Sequence, residues 1–140
     1  KYFNIGVAVN TDRGLVVPVI KDVNNKSIKS IAKELTILIS KAKNKRLTIE
    51  DMSGGSITIS SLGNIGGSFF TPLINPPEVA ILGISKINIK PIIINNKFRA
   101  RKILPVSLSY DHRVIDGSDA ANFTNLFSQL ISNPTLLNEK

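Results

Sequence analysis

Only two stretches of this sequence carry the three-to-four-residue spacing of apolar side chains that an amphipathic helix requires. The first begins after Ser27, a residue type that caps helix N-termini. The second begins at Ser118 and Asp119 and ends near Pro134. The apolar segments between them are short and bounded by Gly, Pro and Asn, which is typical of strands. Two helices are too few to cover both faces of a large sheet, so we expect further structure to cover the rest.

Six segments have the pattern of strands, namely residues 2–9, 15–20, 56–60, 79–87, 91–94 and 98–109. Pro18 lies inside the second of them and cannot donate a hydrogen bond to a neighbouring strand, which predicts an edge or a bulge there. Asn95 and Asn96 tolerate positive φ and predict a tight hairpin turn. The order of strands and helices predicts an α+β fold with flanking helices and a sheet that is either mostly antiparallel or mixed.

Several functional classes are excluded or disfavoured by composition. The chain contains no Cys and a single His, which excludes a disulfide framework, a cysteine nucleophile and a zinc site built from thiolates or several histidines. No run of apolar residues is long enough for a membrane span. The net charge of +8 is compatible with binding to nucleic acid. However, Ile, Asn and Lys make up about a third of the chain, and such a compositional bias raises the net charge without any anionic partner. The few aromatic residues are not interleaved with Lys or Arg as in RNA-binding sheets.

The most informative segment is residues 107–117, which joins a predicted strand to the second predicted helix. It holds the only histidine, His112, with charged residues on both sides. A lone histidine is compatible with a structural role as well as a catalytic one, and both remain open at this level. A serine hydrolase is disfavoured because the chain lacks a Gly-x-Ser-x-Gly motif.

The spacing His112-x-x-x-Asp116-Gly117 resembles the active-site motif shared by chloramphenicol acetyltransferases and the E2 acyltransferases of 2-oxo acid dehydrogenase complexes. Five further segments resemble E2 catalytic domains, in the family's order and at its spacings: residues 14–19, 58–63, 70–72, 74–83 and 108–113. The resemblance implies a chloramphenicol-acetyltransferase-like mixed sheet. The family's catalytic domain is longer than this chain, so residues 1–140 are expected to be a C-terminal portion of it, without the lipoyl and subunit-binding domains.

The resemblance also implies an activity and the residues that perform it. The family moves an acyl group between a dihydrolipoyl arm and coenzyme A. His112 is then the base that takes the proton of the coenzyme A thiol, and Ser60 is the hydroxyl donor to the oxyanion, with Ser61 as the alternative on the opposite face of the strand. Asp116 is expected to orient the histidine loop, or else to be only a residue of the turn before the helix. Asp111 and Arg113 are expected to form a structural ion pair.

Partners follow from the same resemblance. Family members form trimers in which the histidine and the serine come from neighbouring subunits, and the trimers build a larger core served by lipoyl domains and by the E1 and E3 components. We therefore expect self-association, a cytoplasmic location, and no metal, nucleic-acid or membrane partner. The glycine-rich segment after Ser60 resembles acetyltransferases of the pyruvate complex more than succinyltransferases, whereas branched-chain transferases are harder to exclude. A non-catalytic scaffold is the alternative from a different class.

Overall fold

The computed structural model describes residues 2–137, which form nine strands and two α-helices. The strands are β1 (Ile5–Val7), β2 (Val9–Thr11), β3 (Gly14–Val16), β4 (Val19–Ile20), β5 (Ile57–Ser61), β6 (Ala80–Ile84), β7 (Asn88–Ile94), β8 (Lys97–Ile103) and β9 (Val106–Tyr110). The α-helices are α1 (Ile28–Lys43) and α2 (Gly117–Ser132). Short 3₁₀ helices span Val23–Asn25, Glu50–Met52 and Pro134–Leu137.

Five strands form a mixed sheet in the order β4-β1-β5-β6-β9. The three central strands, β1, β5 and β6, run parallel to one another, and the two edge strands run antiparallel to them. Two hairpins, β2–β3 and β7–β8, form separate two-stranded sheets. The predicted α+β fold with a mixed sheet and flanking helices is therefore confirmed.

The prediction of six strands is wrong in detail, because three of them are divided and a fourth ends early. Residues 2–9 are divided at Ala8, between β1 and the start of β2. Residues 15–20 are split into β3 and β4 around Pro18, which lies beside an edge strand as expected. Residues 98–109 are split into β8 and β9 around Pro105. Both prolines lack an N–H, yet their carbonyls still accept hydrogen bonds, from the N–H of Val7 at 2.9 Å and of Ser85 at 3.0 Å. Residues 79–87 form a strand only to Ile84, after which the chain turns into the β7–β8 hairpin.

Helix α1 begins where its cap residue predicts. The Ser27 hydroxyl accepts a hydrogen bond from the Ser30 N–H at 3.2 Å, which satisfies one of the unpaired donors of the first turn. Lys41 and Lys43 lie in the last turn, where the negative end of the helix dipole favours positive charge. The helix packs against β2 and β4.

The hairpin turn predicted at Asn95 and Asn96 is confirmed, since both residues have positive φ angles, 51° and 58°.

Many large apolar side chains are exposed, including Ile28 at 74%, Ile93 at 68% and Phe98 at 77%. This exposure agrees with the expectation that further structure covers part of the sheet and helices. Among the residues that the structure describes, neither α-helix is long and apolar enough to cross a membrane.

Candidate active site

The loop that carries His112 joins the end of β9 to the start of α2. Its first residue, Asp111, is held to the sheet because its N–H donates to the Val79 carbonyl at 2.8 Å. A tight turn follows, in which the Asp111 carbonyl accepts from the N–H groups of Val114 and Ile115, both at 3.0 Å. The His112 side chain is exposed, and its ring lies 5.7 Å from the Tyr110 ring. The loop therefore presents the imidazole at the surface on an ordered backbone.

Asp111 and Arg113 form the ion pair that the sequence predicts. The Arg113 guanidinium donates to both carboxylate oxygens, with Nη2 at 2.6 Å from Oδ2 and Nε at 3.0 Å from Oδ1. The Arg113 backbone N–H also donates to Oδ1 at 3.0 Å. These side-chain and backbone hydrogen bonds lower the pKa of Asp111 from 3.8 to about 2, and the pair raises the pKa of Arg113. The two residues of the pair flank His112 in the sequence.

This pairing predicts a measurable titration shift. In an Arg113→Ala variant the pKa of Asp111 is expected to rise from about 2 toward 3.8, because the side-chain hydrogen bonds are the largest cause of its depression. Since the folded-state pKa lies below the unfolded one, the pair stabilises the fold above about pH 3.8 and loses this contribution as the pH falls through about 2. The measurement is an NMR titration of the Asp111 carboxyl carbon.

Arg13→Ala is the matched control, because it removes the same charge at the exposed β2–β3 turn. It is expected to leave the Asp111 titration unchanged. An Asp111 pKa that stays near 2 in Arg113→Ala would contradict the assignment of the cause.

Asp116 occupies the position immediately before α2. Its backbone is extended, at φ −82° and ψ 157°, and its carbonyl accepts from the Ala120 N–H at 3.1 Å. Its carboxylate makes no capping hydrogen bond to the helix. The backbone geometry thus fits the alternative in which Asp116 is a residue of the turn before the helix. Its side chain makes no hydrogen bond to the first turn of α2. The predicted orienting role of Asp116 stays a prediction.

Ser60 lies near the C-terminal end of β5, the central strand of the five-stranded sheet. It shares a face of the strand with Thr58, and both line a cavity of about 320 Å³ whose other wall includes residues 72–76. Ser61 is exposed and does not line this cavity, and its hydroxyl accepts a 3.4 Å hydrogen bond from the Gly63 N–H. The alternation of the strand therefore separates the two serines as predicted.

Ser60 and His112 lie at opposite ends of the sheet. Ser60 is aligned with Gly83 on β6, and Gly83 with Ser107 on β9. His112 follows Ser107 by five residues, past the end of β9. With about 4.8 Å between strands and about 3.3 Å per residue along a strand, the Cα atoms of Ser60 and of Tyr110, the last residue of β9, are roughly 14 Å apart. One chain therefore does not bring them to the same reacting atoms.

A polar pair beside Ser60, of which Thr58 is fully buried and Glu78 half-buried, was not predicted from the sequence. The Thr58 hydroxyl, which is fully buried, donates to Glu78 Oε2 at 2.6 Å. Glu78 follows the proline-rich segment that walls the cavity, and its N–H donates to the Asn75 carbonyl at 3.0 Å. No local signal links two residues that are 20 positions apart, one on β5 and the other two residues before β6. Within residues 2–137, no cluster of three or more His, Cys, Asp or Glu side chains is placed to hold a metal ion.

Comparison with known proteins gives consistent matches. The model of the 2-oxoacid dehydrogenases acyltransferase catalytic domain matches residues 1–138. The dihydrolipoyllysine-residue acetyltransferase component of the pyruvate dehydrogenase complex of Buchnera aphidicola is 55% identical over 132 residues, which are 94% of this chain but 33% of that protein. The corresponding protein of Haemophilus influenzae is 52% identical, and the match covers 94% of this chain and 23% of its own length.

Two solved structures are similar throughout. The dihydrolipoamide acetyltransferase of Azotobacter vinelandii has a TM-score of 0.93 and 51% identity, covering 95% of this chain and 55% of its own. The cubic core of a pyruvate dehydrogenase multienzyme complex has a TM-score of 0.93 and 50% identity, with the same coverages. Crystallographic and enzymatic work on the Azotobacter protein concerns the catalytic roles of a serine, a histidine 52 positions later and an asparagine four positions after the histidine.

Proposed function

This chain belongs to the family of 2-oxoacid dehydrogenase acyltransferase catalytic domains, and from that membership we propose that it takes part in transferring an acetyl group between a dihydrolipoyl arm and coenzyme A. Because the chain spans about half of the solved relatives and a third or less of the curated ones, we propose that residues 1–140 are a C-terminal portion of the catalytic domain.

One spacing carries the assignment of the reacting residues. Ser60 and His112 are separated by 52 positions, and Asp116 follows His112 by four, which are the intervals between the serine, histidine and asparagine studied in the Azotobacter relative. That relative has nearly the same fold, with a TM-score of 0.93. The correspondence supports Ser60 rather than Ser61 as the reacting serine. It also supports His112 as the base and Asp116 as a residue of the same site.

In the proposed mechanism His112 starts the reaction by removing a proton. A thiol with an ordinary pKa near 8.5 is mostly protonated at neutral pH, so the imidazole must accept the proton of coenzyme A before sulfur can attack. The new C–S bond forms at the acetyl carbonyl carbon while Ser60 donates a hydrogen bond to the carbonyl oxygen as negative charge develops there. The bond to the dihydrolipoyl sulfur then breaks, and His112 returns its proton to that sulfur.

The separation of Ser60 from His112 supports a site shared between subunits. Since one chain places them at opposite ends of its sheet, a reacting centre that uses both needs the serine of one copy and the histidine of another. A cyclic trimer provides such an arrangement three times over. We propose trimers of the complete domain that build a larger core, consistent with the similarity to a cubic core. The lipoyl domain and the E1 and E3 components are the proposed partners, and the cytoplasmic location stays a prediction.

The test is an assay of acetyl transfer from acetyl-coenzyme A to dihydrolipoamide, with the complete catalytic domain that contains this chain. We expect transfer, and we expect succinyl- and branched-chain acyl-coenzyme A to be poor substrates. Preference for one of those acyl groups would show that the protein is a transferase of that acyl group and not an acetyltransferase. No transfer with any acyl donor from a folded, trimeric protein would contradict the catalytic proposal and favour a scaffold.

A further inference from the structure

The Thr58–Glu78 pair lies where a small change would displace Ser60. Thr58 is two residues before Ser60 on the same face of β5, and its side chain has no exposed surface. A buried hydroxyl needs a hydrogen-bond partner, and Glu78 Oε2 provides it at 2.6 Å. Burying part of a carboxylate has a cost that an apolar contact at this position would avoid. The pair therefore calls for an explanation beyond packing.

Two glycines make room for the partners of this hydrogen bond, Gly6 for the Thr58 hydroxyl and Gly55 for the Glu78 carboxylate. Gly6 is aligned with Thr58 in the parallel pairing of β1 and β5, and a Cβ there would lie 2.6 Å from Thr58 Oγ1 and 3.4 Å from Glu78 Oε1. A Cβ on Gly55 would collide with Glu78 Oε1. Any side chain at either position would displace the carboxylate or the hydroxyl. Both partners of the hydrogen bond therefore have a glycine backbone close against them.

Glu78 also joins the parts of the chain that carry the two proposed reacting residues. Glu78 lies between residues 72–76, which form a wall of the Ser60 cavity, and β6, which begins at Ala80. The next residue, Val79, accepts the 2.8 Å hydrogen bond from the N–H of Asp111, which precedes His112. The carboxylate links this junction to β5, two residues from Ser60.

We propose that Glu78 is a positioning residue for acyl transfer, whose carboxylate acts through Thr58 to fix Ser60 against the cavity wall formed by residues 72–76. The inference rests on the proposed function. A hydroxyl that stabilises an oxyanion must lie within hydrogen-bond distance of the position where the charge develops, and a displacement of about 1 Å can cost up to about 100-fold in rate. Glu78 itself does not line the cavity and need not touch substrate.

The test compares substitutions in the complete, assembled catalytic domain. Glu78→Ala and Thr58→Val each remove the hydrogen bond, and each is expected to lower kcat about 10-fold with little change in KM, since Ser60 acts on developing charge rather than on bound substrate. Glu78→Gln keeps an acceptor oxygen at nearly the same place and is expected to restore most of the activity. The double variant is expected to lose no more than either single variant, because both remove one interaction.

The decisive arm repeats Glu78→Ala in a Ser60→Ala background. If Glu78 acts through Ser60, its removal lowers kcat no further there. An equal loss in both backgrounds, or unchanged kcat in folded Glu78→Ala and Thr58→Val, would overturn the positioning role. Should Glu78→Ala not fold, Thr58→Val in the two backgrounds makes the same comparison. Absence of transfer by the wild type would instead contradict the proposed function itself, and with it this inference.

Discussion

We expect His112→Ala to transfer acetyl groups about 10²–10⁴-fold more slowly than the wild type, the range that a positioned general base contributes. The reason is chemical: the attacking thiol, which in this assay is that of dihydrolipoamide, has no acceptor for its proton in the variant. It can then react only through the small fraction of thiol that is ionised in solution. The measurement is steady-state transfer to dihydrolipoamide by the complete catalytic domain. The loss should lie in kcat, since the variant removes a proton acceptor and leaves the binding surfaces in place.

Assembly and stability are expected to survive this substitution. His112 is exposed, and surface substitutions usually change stability by less than about 0.5 kcal/mol. Val114→Ala is a matched control, because Val114 is 65% exposed in the same turn and has no part in the proposed chemistry. It should keep wild-type kcat. A trimeric His112→Ala protein with most of its activity would show that another group accepts the proton.

The second large effect is expected for Ser60→Ala, which should lower kcat about 10²–10³-fold, as loss of one oxyanion donor does elsewhere. Alanine removes the hydroxyl and fits the same space, so the 320 Å³ cavity keeps its shape and KM should change little. Single-turnover transfer would show that the acyl-transfer step itself is slowed. A large rise in KM with unchanged kcat would indicate that Ser60 binds substrate equally in the ground state and the transition state.

Ser61→Ala separates the two adjacent serines. The two hydroxyls lie on opposite faces of β5, and only Ser60 lines the cavity with Thr58. Ser61→Ala is therefore expected to keep nearly wild-type activity. If Ser61→Ala were the inactive variant and Ser60→Ala the active one, the assignment based on the 52-position interval would be wrong.

Features set by neighbouring residues could be predicted from the sequence. Ser27 caps α1 because a serine before an apolar stripe satisfies a local N–H group. Asn95 and Asn96 form the hairpin turn because their own backbones tolerate positive φ. The ion pair of Asp111 and Arg113 spans two positions and depends on little else. These elements need no knowledge of the remaining chain.

Features set by pairing between distant strands could not be predicted in the same way. The Thr58–Glu78 hydrogen bond joins β5 to the segment before β6, and neither residue signals the other locally. The distance between Ser60 and His112 depends on the strand registers. The strand boundaries near Pro18 and Pro105 were not predicted correctly. A proline ends a strand because it has no N–H to donate to the neighbouring strand, and an alternating apolar pattern does not show where this happens.

Subunit complementation tests the shared site most directly. His112→Ala and Ser60→Ala chains, each nearly inactive alone, are co-expressed in equal amounts so that they assemble into mixed trimers. If every site combines a histidine from one subunit with a serine from its neighbour, random assembly restores about a quarter of the sites, because that fraction of interfaces holds both intact residues. The account predicts activity near this level. Mixed trimers that remain as inactive as the parent variants would contradict a site shared between subunits.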